Sequence, residues 1–221
     1  MTSETRSRST APPRRRFLAG FGGVSAAIGA LWGSAQPAGA QAAGSGPRRH
    51  DQDAWMDTLP TAHRMVFDAV SPDGCDDIRH YASNVFFGNR IGYGVESADV
   101  GVIIVLRHNA TPFGYDEAMW RKYGKAFGAE MALQPSDRTA NPANASGETL
   151  DSLTALGVHY AVCEAATRRF AARAARAAGA DSNAVFEELR THLVANAHLV
   201  PVGIVAVGRA QEHGYAFGYA G

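Results

Sequence analysis

The run Val100-Gly101-Val102-Ile103-Ile104-Val105-Leu106 constrains the fold of this chain more than any other stretch. It carries no polar side chain, so a strand built from it has no face that tolerates water. Such a strand belongs at the centre of a sheet with cover on both sides. The flanking pattern supplies that cover. Met65–Val70, Val158–Val162, Leu199–Val207 and Tyr215–Phe217 read as further strands. Between them, Cys75–Tyr93 spaces Ile78, Ala82, Val85, Phe86 and Ile91 at helical intervals, and Tyr115–Phe127 does so with Ala118, Met119, Tyr123 and Phe127. Thr149–Leu156, the Ala-rich Glu164–Arg176 and Ala184–Ala195 complete the helices, the last with Val185, Leu189, His192 and Leu193 on an inner stripe. Ser71–Gly74 reads as a turn, Pro201 as the mark of an edge or bulge, and Arg209–His213 as one turn of helix. Strands alternating with helices give an α/β protein: a three-layer α/β/α sandwich around a mainly parallel sheet of about five strands.

The first forty residues stand apart from that pattern. Arg14, Arg15 and Arg16 precede Phe17-Leu18 and a weakly apolar run to Trp32, diluted by Gly20, Gly22, Gly23, Gly29 and Gly33. Ala38-Gly39-Ala40 follows as a small-x-small cleavage pattern. The order resembles a twin-arginine export signal and implies a periplasmic or otherwise exported protein. No second apolar run is long enough to span a bilayer, so no membrane attachment is expected once the signal is removed. Residues 41–54 read as a flexible linker and 55–221 as one domain, with order beginning near Trp55 and a polar loop over residues 133–147.

Charge narrows the partners. The signal holds five of the 21 basic residues and one of the 21 acidic ones, leaving 16 against 20, a net charge of −4. A mildly acidic domain without a basic patch argues against nucleic acid. No Gly-x-Gly-x-x-Gly follows a strand and no Walker loop is present, so a nucleotide site has no support. His80, His159, His192 and His198 sit on different elements without metal-ligand spacing, so no metal site is expected.

The two cysteines carry the remaining chemistry. Cys163 stands where the Val158 strand hands over to a helix, at the strand-end rim where ligands bind in such sheets. Helix N–H groups there favour charge on sulfur. Cys75 falls at an equivalent turn, so three readings stay open for Cys163: an inert core thiol, half of a disulfide with Cys75, or a working thiol. Arg107, His108 and Asn109 follow the central strand to the same rim, where His108 suits a base and Arg107 with Asn109 a ligand contact. Arg168 and Arg169 lie within a turn or so of the thiol, and Glu164 opposes them.

"GVHYAVCEAATRRFA" (157–171), with "LVPVGIVAVGRAQEHGYAF" (199–217) downstream, resembles the DsrE/DsrF-like family of small α/β sulfur-relay proteins. The resemblance spans His63 to Phe217 and places Cys163 at the persulfide-carrying position. It implies a homo-oligomer, trimer or hexamer, and a thiol-bearing acceptor protein. The apolar ending Tyr215–Tyr219, with Arg209, Gln211 and His213, would face a neighbouring subunit. The export signal and the 133–147 loop depart from the family pattern. The alternative is a non-catalytic binding module for a small ligand, haem or metal ion, with Cys163 structural or a ligand. The cofactor is unknown on either reading.

Export should depend on the arginine pair. Replacing Arg14 and Arg15 by lysine should hold the precursor in the cytoplasm, and N-terminal sequencing of wild type should place cleavage after Ala40. Unchanged export of the lysine variant would refute the signal reading.

Overall fold

The computed structural model describes residues 46–134 and 138–220, so the signal-like segment 1–40 lies outside the described residues. Five strands pair in parallel: β1 (His63–Ala69), β2 (Val100–Leu106), β3 (His159–Cys163), β4 (Ala197–Val200) and β5 (Ala216–Ala220). Their order across the sheet is β4-β3-β2-β1-β5, which puts the all-apolar β2 in the middle. Every residue of β2 is buried. The architecture is a three-layer α/β/α sandwich, as expected.

The two faces are covered unequally. Val102, Ile104 and Leu106 point into a large core built by α1 (Pro72–Tyr93), α2 (Glu117–Glu130), α3 (Leu150–Ala155), α4 (Glu164–Ala178) and α5 (Ser182–Thr191). Ile103 and Val105 point into a smaller core closed by α6 (Gly203–Glu212) and a 3₁₀ turn at Asp51–Asp57. That turn belongs to the folded body. Its Met56 carbonyl accepts from the Tyr215 hydroxyl at 2.7 Å, and Asp57 meets His213 Nδ1 at 2.8 Å. The body therefore starts N-terminal of the expected Trp55, within what reads as linker.

Several boundaries differ from the sequence expectation for identifiable reasons. Ser71–Gly74 is the start of α1, not a free turn: the Ser71 hydroxyl caps the helix by accepting from Gly74 N–H at 3.0 Å, and Pro72 occupies the first turn. Tyr115 precedes α2, bridging to Leu193, and Asp116 caps the helix. His192 and Leu193 follow α5 rather than lining its inner stripe. The largest departure is Leu199–Val207. The strand stops at Val200, and Gly203, Ala206, Val207 and Ala210 form the buried stripe of α6. Ile204 and Val205 are half exposed. Helical spacing of the buried positions outweighs the β-branched composition.

The 133–147 loop is docked over its second half. Asn141 is buried; its Nδ2 donates to the Phe113 and Tyr115 carbonyls at 2.8 and 3.2 Å, and its Oδ1 accepts from Ala143 N–H. Arg79 Nη1 reaches the Ala143 and Glu148 carbonyls at 2.9 and 2.6 Å. Asn141→Ala strands those carbonyls in the interior and should lower stability by about 1–3 kcal/mol. A urea midpoint equal to that of wild type would count against this role.

Candidate functional site

Parallel register brings the strand ends to one rim. Ala69 pairs with Leu106, Leu106 with Val162, and Cys163 with Val200. The segment after β2 is tied to the end of β1, with Arg107 N–H on the Ala69 carbonyl at 3.1 Å and Asn109 N–H on Val70 at 3.0 Å. Between those anchors His108 takes a left-handed backbone, φ 50°. That conformation is uncommon for residues other than glycine, and such positions gather at ligand sites.

A cleft of about 200 Å³ opens at this rim, lined by Arg107, His108, Cys163 and Arg169 with an apolar wall of Ala165, Ala166, Val202 and Ile204. Cys163 ends β3 and caps α4; it is only 6 % exposed, and the exposed part faces the cleft. Its Sγ accepts the Gly203 N–H, from the first turn of α6, at 3.3 Å, and the residue itself holds the N-cap position of α4 without a side-chain cap bond. Gly203 has to be glycine, because a Cβ there would come within 2.7 Å of Arg107 Cβ. Behind the thiol, the Tyr115 hydroxyl donates to Thr167 Oγ1 at 3.0 Å and Thr167 donates to the Cys163 carbonyl at 2.9 Å. Burial pushes the Tyr115 phenol up, so it stays a donor.

The cations have separate anchors. Arg107 forms a forked pair with Asp68, Nε to Oδ1 at 2.7 Å and Nη2 to Oδ2 at 2.9 Å, and this pairing raises the guanidinium's pKa. Asp68 is buried on the α6 face of β1. Arg169 donates to Asn109 Oδ1 at 3.1 Å, and its Nε is buried without a partner. Asn109 therefore positions Arg169 and does not line the cleft. Arg168 turns away to Glu164 at 2.6 Å and lies over Phe186.

Of the sequence candidates, Cys163, Arg107 and His108 meet in one cleft, and Arg169 joins them. Cys75 does not. Its side chain lies in the larger core, fully buried, and burial pushes the thiol up to about 12. Both thiols are free: Cys75 faces the larger core on one side of the sheet, and Cys163 shares the opposite side with Ala161. The disulfide reading is corrected accordingly. Arg209 and His213 are also occupied within the chain, with Glu212 and Asp57.

The sequence reading missed a histidine pair. His159 Nδ1 lies 3.0 Å from His198 Nε2, and Trp55 stacks on His198 with ring centroids 3.9 Å apart. Strand alternation puts His159, Ala161 and Cys163 on one face, but only the β3–β4 pairing brings His198 alongside. Among the described residues, no three His, Cys, Asp or Glu side chains come together as a metal-binding group.

No family model matches the chain, and no curated protein matches its sequence. The solved structure of a protein of unknown function from Methanobacterium thermoautotrophicum is similar over 72 % of this chain and 99 % of that one, at 18 % identity and a TM-score of 0.36. The chemistry of the cleft rests on its own geometry.

Burial lowers the His159 pKa, and burial with the His159 charge holds His198 down to about 4. The unfolded chain then takes up protons first, near the ordinary value of about 6.5. Stability from this pair is complete above that pH and is lost as pH falls toward about 4. Tm should drop between about pH 7 and pH 5, and drop less in His198→Phe, which keeps the stack on Trp55. Parallel Tm–pH curves for the two proteins would contradict this.

Proposed function

We propose that this chain is an exported sulfur-handling protein of the DsrE/DsrF-like kind, in which Cys163 accepts sulfane sulfur as a persulfide and passes it to the thiol of an acceptor protein. The observation that carries this reading is the setting of Cys163 Sγ: at the mouth of a cleft, on the Gly203 N–H, with Arg107 and Arg169 in the same wall. Peptide N–H groups and guanidinium groups favour a sulfur that bears negative charge, which both thiolate and persulfide do. His108 is exposed and lines the same cleft.

Size weighs against the binding-module alternative at this cleft. At about 200 Å³ it falls below the roughly 300–1,000 Å³ of sites that enclose drug-sized ligands, and haem is at the large end of that class. A small group fits it better. Arginine-pair export would put the thiol in an oxidising compartment, where a carrier must trade sulfur quickly and be reset by an outside reductant.

Self-association follows from the same reading, with the β5 edge as its support. Phe217 and Tyr219 are 46 % and 55 % exposed there, an unusual aromatic load for an edge strand. Light scattering on the purified protein should give a multiple of the chain mass, and a monomer across micromolar concentrations would remove this part.

Limiting alkylating reagent near neutral pH should label Cys163 first, because Cys75 is sealed in the core and held protonated. Incubation with inorganic polysulfide should add one sulfur to wild type and to Cys75→Ser, and none to Cys163→Ser. Preferential labelling of Cys75, or sulfur uptake that survives Cys163→Ser, would defeat the working-thiol reading.

A further inference from the structure

We propose that the cleft at Cys163 recognises thiosulfonate anions, R–SO₂–S⁻ (thiosulfate being the simplest of the class), with the sulfonyl oxygens on the Arg169 and Arg107 side and the terminal sulfur against Cys163 Sγ. The inference rests on the sulfur-handling reading and names its donor.

Charge bookkeeping around the cleft points to an oxyanion. Arg107 is offset by Asp68 through two hydrogen bonds. Glu164, the acidic neighbour of Cys163 in sequence, is turned onto Arg168. Arg169 has a neutral partner, the carboxamide of Asn109, and forms no ion pair among the described residues. A guanidinium offers five N–H donors, and Arg169 leaves its Nε unpartnered in the interior. Arg169 therefore brings to the wall one fixed positive charge without a counter-charge among the described residues, while its unpartnered Nε is sealed from the cleft. Guanidinium forks match planar pairs of oxyanion oxygens, and the two helix N-termini at Cys163 add to the same potential.

A second feature selects among oxyanions. The thiol and the free guanidinium share one small cleft, so a single ligand that uses both must join a transferable sulfur to a charged oxygen group over a short distance. Thiosulfonates do so. The apolar wall of Ala165, Ala166, Val202 and Ile204 leaves room for a small R group. The fixed charge also meets a chemical need, because thiolate and donor are both anions and repel each other without it.

The step balances without an outside oxidant. Cys163 first gives its proton to solvent. The thiolate then attacks the terminal sulfur: the new Cys163 S–S bond forms, the bond between that sulfur and the sulfonyl sulfur breaks, and R–SO₂⁻ leaves with the electron pair. Two negative charges enter and two remain, on the persulfide and on the sulfinate. For thiosulfate, in which R is O⁻, three negative charges enter and three remain, and the leaving group is sulfite.

The test uses the full-length chain and three probes. Benzenethiosulfonate should add one sulfur to Cys163, read by intact mass. Benzenesulfonate has no sulfur to give, and should protect Cys163 from alkylation and compete with benzenethiosulfonate. Inorganic polysulfide lacks sulfonyl oxygens and serves as the comparison donor. Arg169→Gln should raise the half-loading concentration for benzenethiosulfonate by about tenfold or more, the loss of one charge-assisted hydrogen bond, and leave polysulfide loading nearly unchanged. Arg169→Lys should fall between the two. Loading by polysulfide but not by benzenethiosulfonate, no protection by benzenesulfonate in the unmutated chain, or an equal loss for both donors in Arg169→Gln would overturn the donor assignment and leave the sulfur-handling reading in place. Failure of every donor to load Cys163 would overturn both.

Discussion

Burial of β2 on both faces is the constraint on which the rest of the molecule depends. Seven successive residues without a polar side chain have to be covered above and below, and parallel neighbours on each side satisfy their backbone groups. The large helical layer does most of that work. The other face is closed more thinly, by one helix of ten residues and one 3₁₀ turn. The inequality matters, because the cleft lies at the strand-end rim between the first turns of α4, from the thick layer, and α6, from the thin one.

The Asp68–Arg107 pair links this architecture to the site. Asp68 sits on β1 and Arg107 just past β2, so their forked contact joins the two central strands under α6. Gly203 packs directly on the Arg107 stem and also supplies the N–H that meets sulfur. One close approach thus sets both the seat of α6 and the donor at Cys163. A buried pair of this kind costs desolvation on both sides and adds little stability by itself. Its value here is placement: it fixes one guanidinium in the wall and leaves Arg169, steadied by Asn109, as the cation still open to a ligand.

Much of this was legible in the sequence because the signals were local. The run from Val100 to Leu106 defined the sheet's centre, helical spacing from Ile78 to Phe86 defined α1, and the strand-to-helix handover placed Cys163 on the rim. What escaped depends on contacts between distant segments or on competition between local signals. Val202 to Val207 is rich in β-branched residues, and only the packing of Gly203, Ala206, Val207 and Ala210 on the sheet decides for helix. Asn109 reads as a ligand contact until Arg169 is seen to occupy its carboxamide oxygen. His159 and His198 are separated by 38 intervening residues, and no spacing rule joins them; strand pairing does.

The placement of the two thiols on opposite faces of the sheet also determines the order of any sulfur chemistry at Cys163. These are the two cysteines of the sequence, and one faces the large core while the other faces the cleft. No second thiol of the same chain stands ready to attack a disulfide or persulfide formed on Cys163, so its release is a bimolecular event. The lifetime of the loaded state is then set by the concentration and access of an external thiol. In such chemistry Cys163 would act as a single site rather than as half of a dithiol couple with a reduction potential of its own.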